Sequence, residues 1–425
     1  MDKPTRALAG LVVAAAALVA NDVRSETVDP SLPVVVAIGV AKSSAPFDRL
    51  GLTRTGRSHV RLPTHPVEIG RRAVGTIGQV PIVHPDGTLI VALQSPEIVR
   101  VAADGTESGR ARLGPSAAVR PPVILPNGGV AVFTSAPSVV FLSDTLKVQS
   151  TVPLPKGTFA TQTGPGDMFD AFASIIPSAD GGVFIASNRA IVQVDSSGRT
   201  LGKFTLPERV GSDLLPHPDG LLAVGEFGNV YLLHPPSDPK HLGALGPVAL
   251  GSAALLDDRT LVALSAPNRV VSFDLKSKTV VTRIGDNPFS YFDSSPAYDS
   301  EGNAWMTSFE GFLVSFDPAG VELARSAADR DANLTAQWRP RMNPGSGRPS
   351  VMVDDDDNVA FLRSSGRFGV RASDGTVTMG TERACLTAIA MVPTSDDHLV
   401  IACREGTLLF FQDASVNAPS TTPSP

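Results

Sequence analysis

Residues Ile175–Phe204 read IIPSADGGVFIASNRAIVQVDSSGRTLGKF. An apolar run meets an Asp-Gly-Gly turn, then comes VFIAS, a two-residue step at Asn188-Arg189, the run AIVQV, a second turn D-S-S-G, and TLGKF. Asp and Gly suit such turns because both tolerate left-handed backbone and Asp caps the turn with its side chain. The runs between them are short and rich in β-branched and aliphatic residues, so the stretch predicts four antiparallel strands in succession.

The same pattern recurs along the chain. Its third strand reads IVRVAADG (98–105), VVFLSD (139–144), IVQVDSSG (191–198), VYLLHP (230–235), VVSFDLKS (270–277), FLVSFDPAG (312–320), FGVRASDG (368–375) and LLFFQDAS (408–415). The first turns fall at Asp86, Asn127, Asp180, Asp219, Asp258, Glu301, Asp357 and Asp397, spaced 39 to 43 residues apart except for gaps of 53 and 56. A period near forty with four strands per unit is the mark of a propeller, so the chain is expected to be all-β, an eight-bladed β-propeller of four-stranded antiparallel blades. The near-continuous apolar runs fit strands buried between neighbouring blades.

Composition agrees. The 425 residues include 38 Gly and 36 Pro but only 18% charged residues, which suits many short strands joined by tight turns. The net charge is −6 with both signs scattered and no basic stripe, which argues against nucleic acid as a partner.

The expected division is 1–20 a signal peptide, 21–55 an N-terminal extension, 56–415 the propeller and 416–425 a disordered Pro/Ser/Thr tail. Lys3 and Arg6 precede the apolar run Ala7–Ala20, which is short for a bilayer span and ends in small residues before a polar stretch. Cleavage near Ala20 is expected; an uncleaved anchor is the alternative. The mature protein is expected to be exported, periplasmic or extracellular, monomeric and without a membrane span.

The eighth copy runs into the tail without a fourth strand, so an N-terminal strand should complete it and remove an exposed edge. Val34–Ala41 and His59–Leu62 are candidates, with the second favoured because it lies just before the first blade. Cys385 and Cys403 are the two cysteines, on the strands that flank the last turn. If those strands form a hairpin the two lie nearly opposite, at about 5.5 Å between Cα atoms and within disulfide range. Two small buried apolar residues in adjacent strands are the other reading.

The motifs IVQVDSSGRTLGKF (191–204), LVSFDPAGVELA (313–324) and VVSFDLKSKTVV (270–281) resemble the quinoprotein-like (PQQ-like) β-propeller repeats, and the resemblance covers roughly Ile77 to Ser415. The chain is similar to the eight-bladed propeller of the outer-membrane assembly lipoprotein of Gram-negative bacteria, which implies a scaffold without catalysis. Two departures stand out. The family's repeats often carry Trp after the D-x-x-G turn, whereas Trp305 and Trp338 sit elsewhere, and no lipid-modified Cys follows the apolar leader. The quinoprotein dehydrogenases of the wider group need a Trp platform, a vicinal Cys pair and a calcium site. Here the cysteines are eighteen apart and no such set is grouped.

The two long gaps hold insertions at Pro153–Phe172 and Arg325–Pro349, with a smaller one at Gly285–Ser295. All three join the fourth strand of one blade to the first of the next. In an up-and-down blade these connections share a face with the loops between second and third strands, opposite the Asp-Gly turns. Function concentrates on such loops because a rigid scaffold positions them. Phe289, Tyr291 and Phe292 lie in one insertion, Phe169 with Phe159 and Phe172 in another, and Trp338, Arg339 and Arg341 in the third. Aromatics and Arg dominate interface energetics, so these residues are the expected contacts for a protein or cell-envelope ligand; rings that pin their own loops are the alternative. No catalytic set and no cofactor is expected. The competing class is a calcium-dependent lactonase or lyase, with Glu226, Asn229, Asn268 and Glu310 as oxygen ligands on the same face. Asp354–Asn358 looks like a calcium loop but lacks the spaced acidic form and lies on the opposite face, where it reads as a solvated turn.

Overall fold

The computed structural model describes residues 56–155, 173–234, 237–248, 253–265, 269–284, 294–308, 312–327, 351–363, 367–381 and 384–417. The expected signal peptide and N-terminal extension, residues 1–55, and the last eight residues lie outside them. A 3-10 turn, Ala414–Asn417, follows the last strand.

The strands form eight four-stranded antiparallel sheets, the blades of an eight-bladed β-propeller. Blades 1 to 7 are the runs 82–112, 123–153, 173–205, 215–244, 254–284, 297–327 and 351–381, each in strict sequence order. Blade 8 takes three strands from 388–413 and its outer strand from the N-terminal side.

The apolar runs are explained by side-chain alternation. Successive residues of a strand point to opposite faces, and in a blade both faces meet a neighbour. In the second strand of blade 2, Val130 and Val132 join blade 1's residues while Ala131 and Phe133 join those of blade 3. Six of the apolar clusters are each the filling between two consecutive blades. The remaining cluster fuses blades 7, 8 and 1, where the ring closes.

Closure uses an N-terminal strand, but not the expected one. Pro66–Ala73 pairs antiparallel with Thr407–Asp413 as the outer strand of blade 8. His59–Leu62 forms no strand with blade 8, and Val34–Ala41 lies outside the described residues. The run PVEIGRRA carries three charged residues and is exposed at six of its eight positions, as suits an outermost strand with a solvated face. No continuous apolar run marks it in the sequence. Blades 1 to 7 each carry a bulge where the third strand pairs with the outer one, and the closing strand reproduces it at Glu68/Gly70. Bulges increase local twist, so this strand matches the outer strands of the other blades in shape as well as position.

His59–Leu62 instead belongs to a strap, residues 56–65, that crosses the turn face beneath blades 7 and 8. Leu62 is fully buried in the closure cluster, and its amide donates to Asp354 Oδ2 at 2.8 Å. Asp354 is 0% exposed and also accepts the amides of Asp356 and Asn358 and the Asn358 side chain. So the solvated-turn reading of Asp354–Asn358 holds for Asp355 and Asp356, which are exposed, and fails at Asp354, the buried anchor of the strap. Burial pushes the Asp354 carboxyl up, against the donors that surround it. Asp355 takes Arg57 at 3.2 Å and His59 at 3.3 Å, and Arg61 makes a two-pronged bond to Asp397 at 2.8 and 2.6 Å. At the strap's end Asp413 accepts the His65 amide at 2.8 Å and the Thr64 hydroxyl at 3.2 Å.

Cys385 and Cys403 are joined by a disulfide with Cα atoms 5.6 Å apart. They are not cross-strand partners as the hairpin expectation had it. Cys403 opposes Ala388, and Cys385 lies three residues before the strand Ala388–Ser395 begins. The bond therefore ties the entry of blade 8 to the end of its second strand.

Candidate functional site

The repeat places its turns and loops on opposite ends of the ring. On the turn face, neighbouring turns bond to each other. His84 Nε2 donates to the carbonyl of Gly128 at 2.8 Å, and His217 Nε2 to that of Asp258 at 2.8 Å. The Ser300 amide donates to Asp357 Oδ1 at 2.9 Å. The histidines of the HPDG turns thus link consecutive blades. Gly87 and Gly128 close these turns at φ 83° and 82°, and Asp357 and Asp397 take the same left-handed position at 59° and 63°.

The loop face is built differently. The GEFGN loop of blade 4 is fastened to the preceding connection by Glu208, which is 5% exposed. One Glu208 oxygen accepts the Phe227 amide at 2.8 Å and the other the Tyr231 hydroxyl at 3.1 Å. Burial, then the hydrogen bond to Glu208 and its charge, raise the Tyr231 hydroxyl to about 12. Gly225 makes room for that carboxylate, since a Cβ there would lie 2.1 Å from Glu208 Cδ. The Glu226 amide donates to the Arg209 carbonyl at 2.8 Å. With its backbone held on both sides, the loop presents the Phe227 side chain at 62% exposure.

A second loop repeats the device. Glu405, on the loop between the strands His398–Cys403 and Thr407–Asp413 of blade 8, accepts at 2.8 Å the amide of Leu386 in the connection from blade 7, while the neighbouring Cys385 is bonded to Cys403. Leu386 is 69% exposed. Among the described residues these are the two most exposed large apolar side chains, and both stand on the loop face, on opposite sides of an eight-membered ring. Neither was among the residues the sequence singled out. Phe227 carried a legible signal, an aromatic between glycines in a loop, whereas Leu386 carried none.

Trp338, Arg339, Arg341, Phe289, Tyr291, Phe292 and Phe169 lie outside the described residues, as do Asn268 and Glu310. Of the oxygen-ligand set, Glu226 stands at the tip of the blade 4 loop, and Asn229 Oδ1 accepts from His241 Nε2 at 3.2 Å, on the outer strand of the same blade. Among the described residues, the group of His, Cys, Asp and Glu atoms close enough to share a metal is Cys385, Cys403 and Glu405. Its two sulfurs are bonded to each other, and the Glu405 oxygens face the amides of Leu386 and Thr387. A hard cation such as calcium wants oxygen ligands, so this set does not fit it.

No family model matches the chain, and no curated protein does. Solved structures match in number, 1458 chains, as expected for a fold that hosts many functions. The computationally designed Ika8 protein matches at a TM-score of 0.58 and 11% identity, over 83% of this chain and 99% of that chain. That likeness carries the fold alone. BamB from Moraxella catarrhalis matches at 0.39 and 13% identity, over 80% of this chain and 84% of that one. Catalytically inactive virginiamycin B lyase from Staphylococcus aureus, with quinupristin, matches at 0.44 and 10% identity, over 81% of this chain and 99% of that one. Scores this low carry no functional argument. No helix among the described residues is long and apolar enough to cross a membrane.

Proposed function

We propose that this propeller is an exported, non-catalytic binding module that holds a protein or cell-envelope ligand against its loop face. The observation that carries the reading is the doubled device at Phe227 and Leu386. In each, a carboxylate holds the backbone amide of an apolar residue whose side chain faces solvent. A bare apolar side chain on a fixed backbone is a preorganised anchor, because little conformational freedom remains to be lost on association. The insertions carrying Phe169, Phe289, Tyr291, Phe292, Trp338, Arg339 and Arg341 join the fourth strand of one blade to the first of the next, as the connection that carries Leu386 does, and are proposed as further contacts for the ligand.

The test is capture from a cell-envelope extract with the tagged full-length protein. Phe227→Ala with Leu386→Ala, and separately Trp338→Ala with Arg339→Ala and Arg341→Ala, should each reduce capture several-fold. Asp219→Ala on the turn face should leave it unchanged. Equal capture by all variants overturns the site. Turnover of a lactone that disappears with a chelator overturns the class, in favour of a calcium-dependent lactonase or lyase.

A further inference from the structure

Four blades share one bond on the loop face. A residue in the turn out of the second strand donates its amide to a carbonyl of the connection that enters the same blade. The pairs are Gln94 to Thr76 at 2.8 Å, Ser135 to Ala117 at 3.0 Å, Glu226 to Arg209 at 2.8 Å and Arg404 to Thr387 at 2.9 Å. The backbone is fixed alike in all four, while the side chain differs. Arg404 is the cation of the set. Its carbonyl also accepts the amide of Ile77, from the connection into blade 1, at 3.1 Å, so its backbone is held on both sides.

The guanidinium, by contrast, is unmatched. Arg404 is half-buried, and its Nε is buried without a hydrogen-bond partner. No carboxylate among the described residues forms an ion pair with it. Glu405, next in sequence, instead accepts the amides of Leu386 at 2.8 Å and Thr387 at 3.4 Å. A buried donor on a charged group is costly when unpaired, and an anion that pairs with the guanidinium fork offsets that cost.

The setting narrows the ligand. Thr387, whose carbonyl takes the Arg404 amide, follows Leu386, the 69% exposed anchor. Backbone segments joined by such a bond run roughly 5 Å apart. A ligand therefore meets a cation and an apolar side chain carried by neighbouring backbone. Adjacent residues of a peptide, one acidic and one apolar, offer that pairing. A sugar acid supplies the charge without the apolar group. A phosphate carries up to two charges, and the carboxylate of Glu405 beside the site disfavours the second. A carboxylate matches a single planar guanidinium, taking two parallel bonds from its fork.

We propose that Arg404 and Leu386 together form a subsite for a protein segment in which an acidic residue stands beside an apolar one, with the carboxylate paired to Arg404. The proposal rests on the binding reading above and names the chemistry of part of that ligand. At the corresponding position of blade 4, on the opposite side of the ring, Glu226 stands beside Phe227. Like charge there disfavours the same acid. A ligand that spans both anchors is thereby oriented, its acidic end on blade 8.

Short end-blocked peptides test it, with leucine next to aspartate, asparagine, lysine or phosphoserine, and binding to the full-length protein read by fluorescence anisotropy. Aspartate peptides should bind about tenfold more tightly than asparagine or lysine ones, the margin expected of a hydrogen bond to a charged group. Arg404→Gln should erase that margin and Arg404→Lys should keep part of it, with unchanged thermal midpoints verifying that both variants are folded. Leu386→Ala should weaken aspartate and asparagine peptides alike. Equal binding of those two peptides by the parent protein overturns the proposal, and so does a margin that survives Arg404→Gln. If Leu386→Ala still weakens both, the binding reading stands without the carboxylate. Tighter binding of phosphoserine peptides, or no binding of any peptide, also overturns the proposal. Peptides that bind without any response to Leu386→Ala or Phe227→Ala overturn the anchors themselves.

Discussion

On the turn face, His84 and His217 reach carbonyls of the next blade, and Asp354, Asp355, Asp397 and Asp413 hold the strap. On the loop face, Glu208 and Glu405 hold amides, and the side chains beside those amides face solvent. Both faces use carboxylates as backbone clamps, with opposite results. The turns recur at nearly fixed spacing, so a side chain of one turn can count on finding the next turn's carbonyl within reach. The loops vary in length from blade to blade, so each must be fastened locally, and what it fastens can differ. One face thereby closes the ring, and the other is left to vary in what it presents. If that is right, substitutions on the turn face should cost stability, and trimming the side chains that the loop face presents should not.

The largest effect is expected at Leu62, wholly buried where blades 7, 8 and 1 meet. Leu62→Ala should lower the unfolding free energy by about 2–5 kcal/mol, the usual range for emptying a packed leucine site. Denaturant unfolding measures it. A loss below about 1 kcal/mol would mean that the strap lies loosely on the ring and that the turn face does not depend on it.

Next is the disulfide, which closes an 18-residue separation at the loop-face end of blade 8. Replacing both cysteines by Ser should cost about 3 kcal/mol on the chain-entropy account. This blurs the comparison in a useful way, because it is a stabilising bond on the loop face. Its expected effect is also local, freeing the backbone of Leu386, so hydrogen exchange at Leu386 and Thr387 should rise more than exchange in blade 4. Uniform change across all blades would show the bond to be a global staple only.

Asp413 gives the comparison a pH axis. Burial alone would raise this carboxyl, but the Ser415 hydroxyl and the amides of His65 and Ser415 outweigh it and hold it down, at about 2 against an ordinary 3.8. A carboxyl depressed on folding stabilises the folded state above its ordinary value and loses that contribution as pH falls through the folded one. Ring closure should therefore be intact above about pH 4 and weaken towards pH 2, by on the order of 2 kcal/mol. Asp413→Asn should flatten this part of the profile when urea midpoints are compared at both ends. Parallel profiles for the two proteins would remove Asp413 from the account.

The architecture was legible in the sequence because a repeat is written eight times, and errors in any one copy average out. The blade count, the antiparallel order and closure by an N-terminal strand all follow from turn spacing and apolar periodicity. What did not follow was decided by single contacts. Pro66–Ala73 closes the ring but is broken by Glu68, Arg71 and Arg72 and mostly exposed, so no apolar run marks it. Asp354 looks like a surface acid in a run of four and is fully buried, because the strap that covers it comes from 292 residues away. Phe227 sits between Glu226 and Asn229, two residues whose oxygens mark them as possible ligands in the sequence. Its importance depends on Glu208, nineteen residues earlier, which no local pattern connects to it. Long-range clamps leave no periodic trace, and in this protein they position both the closure and the exposed anchors.

The smallest effect on stability is expected at those anchors, and that smallness is what the comparison requires. Phe227 and Leu386 are mostly exposed, so trimming each to Ala removes little buried surface, and the unfolding free energy should move by no more than about 0.5 kcal/mol. Glu208→Gln is the sharper variant. It keeps the shape of the clamp but exchanges a carboxylate for an amide that can offer the Phe227 amide and the Tyr231 hydroxyl one acceptor oxygen where there were two. It should cost more stability than Phe227→Ala, although it leaves the exposed ring in place, because a hydrogen bond to a charged group is worth about 1.5–3 kcal/mol. It should also weaken ligand capture by loosening the backbone under Phe227. If Phe227→Ala proved the more destabilising of the two, the ring would be a packing residue, and the loop face would be doing the same work as the turn face.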